Sequence, residues 1–383
     1  MLIMKRPFSI IPYLVLVLLL AAAGCSKDKP AALTNNGSDD PVPPDTISNV
    51  RIKLAEQLSF YGIYDFGQTW RTCAVNDGNA TRLNGYMFAR KLSVDEKKQV
   101  GNRLELNFTL QARYDGWDRI AEFGYIKTPL NYAGPLQPDS VWQERTGIAR
   151  FITPYFLQYN AFNKIDYSFD VSAFAPDLRS TDKDVWIVYQ VAANPTYTDP
   201  TKKDTGFCAL DGFRLDASFL SNGSTANDST RYFRNLFSCN ITGTAQVSVS
   251  FELAKPVRQL TAYITNSGHG NEEGLVRRNT VLVDNTQKGN YSTKVLCTPA
   301  SYYDGINPNG AKGPGVTWRY PTRNWCQGGT VPPAAVLIGD LPAGTHTFTL
   351  DMTRVIEAGG VARSVVAPID GNLEVTAFLS GVQ

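Results

Sequence analysis

Apolar and polar residues alternate one for one along several stretches of this chain. Leu104, Leu106, Phe108 and Leu110 are spaced by Glu105, Asn107 and Thr109, and Val247, Val249, Phe251 and Leu253 by Ser248, Ser250 and Glu252. Phe348 and Leu350 repeat the pattern, as do Leu373, Val375 and Ala377. A period of two turns successive side chains to opposite faces, so these stretches predict strands with one face on a core and one toward water. Turn pairs punctuate them at Asp77-Gly78, Asp211-Gly212, Ser221-Asn222-Gly223 and Asp370-Gly371,. No long amphipathic helix stands out; 226–238 is the nearest helical candidate and reads equally well as a loop. Antiparallel strands with one wet face stack most simply as sandwiches, so the expectation is an all-β chain with two adjacent antiparallel β-sandwiches. A polar turn from Asn240 to Gly243 precedes a clean alternating strand, which predicts domains at 48–242 and 243–383.

The first residues read differently. Lys5 and Arg6 open an apolar run from Phe8 to Ala23 that closes on Ala22-Ala23-Gly24-Cys25. That is a secretory signal over 1–24, too short for a bilayer-spanning anchor, and its end has the form of a bacterial lipobox. Cys25 is then expected to be acylated and to hold the protein on membrane lipid. The expected location is the bacterial cell envelope, on the periplasmic or external face of the outer membrane. Residues 25–47, with Pro30, Pro41, Pro43 and Pro44 among small polar residues, predict a flexible tether,.

The formal charge of +2 includes Lys5 and Arg6, so the chain after the signal is neutral, and no basic tract suggests nucleic acid,. Two histidines and no Cys-x-x-Cys argue against a zinc or copper centre, and no cofactor or metal is expected,. Five cysteines follow Cys25: Cys73, Cys208, Cys239, Cys297 and Cys326. Export permits disulfides, and the odd number leaves at least one thiol free or paired between chains.

Some short strings carry more specific chemistry. Residues 117–119 are Trp-Asp-Arg, and 150–155 are Arg-Phe-Ile-Thr-Pro-Tyr. Gly-His-Gly follows at 268–270, then Glu273, then Asn-Trp-Cys at 324–326. Together, over roughly 100–383, they resemble the peptide-N-glycosidase F family, bacterial amidases that cut N-linked glycans from asparagine. The resemblance implies two side-by-side jelly rolls with the active site at their interface. It implies a monomer acting on N-glycoproteins or glycopeptides, and a disulfide between Cys297 and Cys326, which bracket a segment rich in Gly, Pro and Asn.

Hydrolysing a side-chain amide needs a carboxylate to activate water, donors for the oxyanion and a proton for the leaving glycosylamine, while the sugar needs flat apolar faces. By the resemblance Asp118 is the primary catalytic residue and Glu273 the second acid, with adjacent Glu272 taking its place under a one-residue shift. Trp117 and Arg119 flank Asp118; Arg119 is expected to bind substrate or to hold Asp118 ionised by proximity. The residues alone allow a surface Asp–Arg pair instead. Gln190 falls where the family has a third acid. An amide cannot be a general base, though it can hold a water or a sugar hydroxyl, and Asp199 or Asp211 in the following insertion are candidate substitutes. Trp325 is expected to stack on the sugar, with Arg323 and His269 as further substrate contacts. His269 equally fits a structural turn, and Trp325 a rim position over the Cys297–Cys326 bridge. His346, in register with Phe348 and Leu350, reads as a core-edge histidine, and the apolar residues around Thr153-Pro154 as architecture. The additional residues at 48–103 and 196–210 are expected to be added strands or rim loops. The alternative function is a glycan-binding or adhesion lipoprotein on the same fold.

Overall fold

The computed structural model describes residues 49–62, 69–153, 164–193, 208, 211–222, 231–269, 272, 276–293, 295–296, 322–323, 328–358, 361–365, 369 and 372–383. The first half of the chain forms β1 (Val50–Phe60), β2 (Thr81–Arg82), β3 (Met87–Lys91), β4 (Arg103–Ala112), β5 (Ile120–Pro129), β6 (Thr146–Ile152), β7 (Lys164–Asp170), β8 (Lys183–Val191) and β9 (Phe213–Asn222). The second half forms β10 (Arg231–Ile241), β11 (Gln246–Leu253), β12 (Val257–His269), β13 (Val276–Val283), β14 (Thr286–Ser292), β15 (Val295–Leu296) and β16 (Thr322–Arg323). It ends with β17 (Thr330–Val331), β18 (Ala334–Leu341), β19 (Gly344–Ala358), β20 (Val361–Val365) and β21 (Asn372–Val382). The helices α1 (Val94–Lys98), α2 (Pro138–Glu144) and α3 (Ala175–Leu178) are short.

Two sheets enclose the first core: β1-β9-β4-β7 and β17-β6-β5-β8-β3-β2. β4 alternates as its sequence predicts, with Leu104, Leu106, Phe108 and Leu110 all inward. Phe108 lies 4.7–5.0 Å, ring to ring, from Phe123, Phe151 and Tyr167, which ties the two sheets across this core. The second core lies between β10-β21-β12-β18 and β11-β19-β13-β14, with β20 beside β19. In β11 only Phe251 and Leu253 are fully buried; Val247 and Val249 are half-buried, because β11 is an edge strand. Every pairing is antiparallel, as the all-β reading predicts.

Three local expectations change. The helical or loop candidate at 226–238 is largely strand: Arg231–Ile241 pairs along its length with β21, from Arg231 opposite Val382 to Ile241 opposite Leu373. The strand before the polar turn at Asn240–Gly243 therefore already belongs with the second pair of sheets. Gly268 and His269, expected in a turn, instead end β12 opposite Leu373 and Asn372. In 48–103, β1 edges one sheet while β3 and β2 extend the other. Strands therefore occupy part of the stretch expected to hold added strands or rim loops. That stretch is stapled to the 196–210 segment by a disulfide that the sequence left open, Cys73–Cys208, across 135 residues. Cys239 is a free thiol, pushed up to about 11 by burial,. The expected pair Cys297 and Cys326, the acylation site Cys25, and the signal and tether all lie outside the described residues.

Candidate active site

The two sandwiches meet along the face of β6, β5 and β8 that points away from the first core and the face of β21 and β12 that points away from the second. Period two sets the composition of this seam. On β21 the residues facing the first sandwich are Glu374, Thr376 and Phe378, opposite Ser267, Thr265 and Tyr263 on β12. Over that short distance the seam changes from charged to aromatic. At the aromatic end Phe378 stacks on Tyr263 at 4.9 Å and lies 4.8 Å from Phe174 of the first sandwich.

At the charged end Glu122 of β5 is opposite Arg150 on β6 and Gln190 on β8. Glu122, Arg145, Arg150 and Gln190 are all buried. Arg150 donates from Nε to Glu122 Oε2 at 2.6 Å, and Arg145 from Nε to Oε1 at 2.9 Å. Burial alone would raise the Glu122 pKa, but the two guanidiniums outweigh it and hold the carboxyl below its ordinary value, as an anion,. The Arg145 guanidinium lies 3.6 Å from the centre of the Trp142 ring and donates to its carbonyl,. The Arg150 guanidinium crosses the seam, donating from Nη1 to the Glu374 carbonyl at 2.8 Å, with Thr265 O and Ser267 Oγ each at 3.4 Å, and Asn235 Nδ2 of β10 crosses it the other way to the Glu144 and Arg145 carbonyls at 3.2 and 3.1 Å. Gly147 permits this approach: a Cβ there would stand 2.6 Å from Glu122 Oε1 and 3.2 Å from Thr376 Oγ1.

Asp118 lies just before β5, on the loop that leaves β4, and is buried. The loop around it is tied at each step. Arg113 N and Tyr114 N donate to the Gly212 and Asp211 carbonyls. Trp117 N donates to Asp115 Oδ1. Arg119 N donates to Thr153 Oγ1 at 2.6 Å, and that hydroxyl donates to the Trp117 carbonyl at 3.1 Å. Thr153 N returns a bond to Arg119 O. Thr153 thus clamps both neighbours of Asp118, an architectural role for the Thr-Pro string. Arg119 turns to an acid on the same loop. Its guanidinium grips Asp115, with Nε at 2.8 Å and Nη2 at 3.2 Å, because the turn at Asp115-Gly116 brings that carboxylate under it. Trp117, next to Asp118 in the chain, is 37% exposed.

The other expected residues divide. Gln190 is buried at the seam, and its Oε1 accepts no hydrogen bond among the described residues. Asp211, a candidate substitute acid, is buried in the first sandwich: its Oδ2 accepts from Ser59 Oγ and pairs with Arg214, and its Oδ1 lies 3.5 Å from Arg113 Nε. Asp199 lies outside the described residues, as do Glu273 and Trp325; of Arg323 and His269 only the backbone is described, in β16 and β12. Glu272 is fully buried and bridged by both oxygens to Arg277, at 2.7 and 2.6 Å. His346 shares a hydrogen bond with Asp284 at the core edge, as its register predicts. Among the described residues no three His, Cys, Asp or Glu come together as a metal site. Sequence reasoning missed Glu122, Arg145 and Glu374, and read Arg150 only as part of a marker. The available signal was a charge in the middle of an apolar run, as in Ile148-Ala149-Arg150-Phe151-Ile152.

Two antiparallel β-sandwiches joined across a buried polar seam, with an acid-bearing loop at one end of that seam, define the class of protein. Residues 239–377 match the family model described as Peptide-N-glycosidase F, C terminal, so this part of the chain is similar to the C-terminal domain of that family. No curated protein matches the sequence. Among solved structures, PNGF-II is similar at 15% identity over 87% of this chain, with a TM-score of 0.61; the chain spans 65% of its length. PNGase F, a glycosylasparaginase from Flavobacterium meningosepticum, is similar at 13% identity, covering 88% of this chain and 96% of that one, with a TM-score of 0.53. A peptide-N(4)-(N-acetyl-beta-D-glucosaminyl) asparagine amidase gives 0.55 over the same coverage.

Proposed function

We propose that this protein is an exported glycoamidase that hydrolyses the bond between an asparagine side chain and the first GlcNAc of an N-linked glycan. The observation that carries the reading is Asp118, a buried carboxylate on a loop fixed on both sides by Thr153, next to the exposed indole of Trp117. Asp118 positions and deprotonates a water; its oxygen attacks the amide carbon, the C–N bond breaks, and the nitrogen leaves with a proton as the glycosylamine. Asp stands where Asn stood. Burial of Asp118 limits competing water, and the fixed loop lowers the cost of reaching the reactive geometry. Trp117 and Trp325 offer flat faces to the sugar, with Gln190, His269 and Arg323 as polar contacts and Arg119 holding the loop through Asp115. Glu273 is the second acid of the proposal, its neighbour Glu272 being committed to Arg277.

The substrates are N-glycoproteins or glycopeptides, bound by a monomer without a cofactor. The protein is placed outside the cytoplasm, with Cys25 acylated at the envelope and Cys297 joined to Cys326. The two domains divide between Asn222 and Arg231, because β10 pairs with β21. A second reading, a glycan-binding protein without amidase chemistry, draws support from Gln190, an amide where the family resemblance expects an acid.

The test is mass spectrometry of a defined N-glycopeptide after incubation with the protein and with Asp118→Asn. Glycan release with Asn converted to Asp, lost in the variant, is the expected result. No release from high-mannose or complex glycopeptides by folded protein would sink the amidase reading and leave glycan binding as the one to measure.

A further inference from the structure

We propose that Arg150, seated on Glu122, is the positioning residue that sets the Asp118 loop against the second sandwich; the inference rests on the amidase reading above. Both ends of this contact adjoin the proposed site. Glu122 lies four residues after Asp118 on β5, and Arg150 lies three before Thr153, the clamp on Trp117 and Arg119. On the other side Arg150 meets Thr265 and Ser267, on the strand that ends at His269 and leads to Glu272. One guanidinium therefore links the strand leaving Asp118 to the strand entering the second sandwich's part of the site.

The choice of groups fits positioning better than stability. A buried ion pair adds little net stability over well-packed apolar residues of the same size, since desolvating the charges offsets their attraction. A planar guanidinium does impose direction. Nε is used by Glu122 Oε2 and Nη1 by the Glu374 carbonyl, so sliding one sandwich along the other by a residue breaks a buried bond,. The aromatic contacts of Phe378 have no such register. The Arg145 guanidinium does not share the task, because its hydrogen bonds go to Glu122 and the Trp142 carbonyl, both within the first sandwich; Arg145 meets the second sandwich only through its backbone carbonyl, which accepts from Asn235 Nδ2 whatever the side chain at 145. A lysine at 150 carries the charge without the fork and cannot satisfy both sides in the same geometry.

The experiment compares the full chain in detergent with Arg150→Met, Arg150→Lys and Leu253→Ala, the last a core change on the edge strand β11, in the sheet of the second sandwich that does not form the seam. Two readouts are taken: glycopeptide turnover, and hydrogen exchange by mass spectrometry. Arg150→Met is expected to lower kcat about 100-fold with KM within about threefold, the scale of an ångström-level misplacement of a reacting group. Arg150→Lys recovers only part of the loss, and Leu253→Ala keeps kcat at wild-type level whatever it does to Tm. Exchange is expected to rise in peptides covering 117–121, 150–153 and 263–269, and to stay unchanged in β4. Folded Arg150→Met with wild-type kcat, or with wild-type exchange in those peptides, overturns the proposal. If the wild-type protein releases no glycan, the amidase reading falls and exchange alone decides whether Arg150 fixes the two strands. If Arg150→Met does not fold, Arg150→Lys carries both readouts with the same criteria.

Discussion

The two ends of the seam between the sandwiches differ in kind. At one, Phe378, Tyr263 and Phe174 pack ring against ring; at the other, Glu122, Arg145 and Arg150 are buried with their charges. Burying aromatic surface is strongly stabilising and tolerant of small shifts. Burying ions gains little net stability and tolerates almost none. The aromatic end therefore supplies adhesion between the sandwiches and the ionic end their register. The proposed catalytic loop adjoins the ionic end, where register matters for chemistry.

That division can be broken from either side. The largest effect is expected at Asp118: Asp118→Asn should lower kcat/KM by about 10²–10⁴-fold, the usual scale for a general base, with little change in Tm. The reverse behaviour is expected of Phe378→Ala. Truncating this buried ring should cost about 3–5 kcal/mol of stability, read by denaturant unfolding, while the folded fraction keeps its kcat. A loss of kcat at unchanged stability would mean that the aromatic end also sets the site's geometry.

Away from the seam, the Cys73–Cys208 bridge ties the segment before β2 to the segment just before Asp211, whose carbonyl anchors the Asp118 loop. Replacing both cysteines by serine should cost about 2–4 kcal/mol, seen as a lower denaturation midpoint that added reductant no longer shifts.

The smallest expected effect sharpens the comparison with an ion pair at the surface of a core. Burial opposes a charge on His346, but its hydrogen bonds to Asp284 and the Pro342 carbonyl outweigh that and raise its pKa; the bond from His346 lowers that of Asp284. A raised histidine pKa stabilises below the unfolded value of about 6.5 and ceases to do so as pH rises through the folded value. The depressed Asp284 acts in the opposite sense and loses its contribution as pH falls through its own folded value. The Tm gap between the wild type and His346→Gln should therefore be widest near pH 5 to 6 and narrow toward pH 8 to 9. A gap independent of pH would show that the ion pair adds nothing.

The period-two alternation of Leu104–Leu110 and Leu373–Ala377 determined by itself that this is an all-β chain, since facing is a local property of an extended backbone. The short strings likewise carried the resemblance to the peptide-N-glycosidase F family, because motif residues and their order are written in one dimension. Partnership is not. Arg119 stands beside Asp118 in sequence yet grips Asp115, because the turn between them decides which carboxylate is under the guanidinium. Of the adjacent glutamates at 272 and 273, tertiary structure committed the first to Arg277. Arg231–Ile241 reads as helix or loop until β21 pairs with it, since a strand with half-buried faces has no strong period of its own. Most of all, the charges of Glu122 and Arg150 inside apolar runs gain their meaning only from Glu374, Thr265 and Ser267, more than a hundred residues away. A buried charge is tolerable only beside its partners, and those partners are brought to it by the packing of one sandwich on the other.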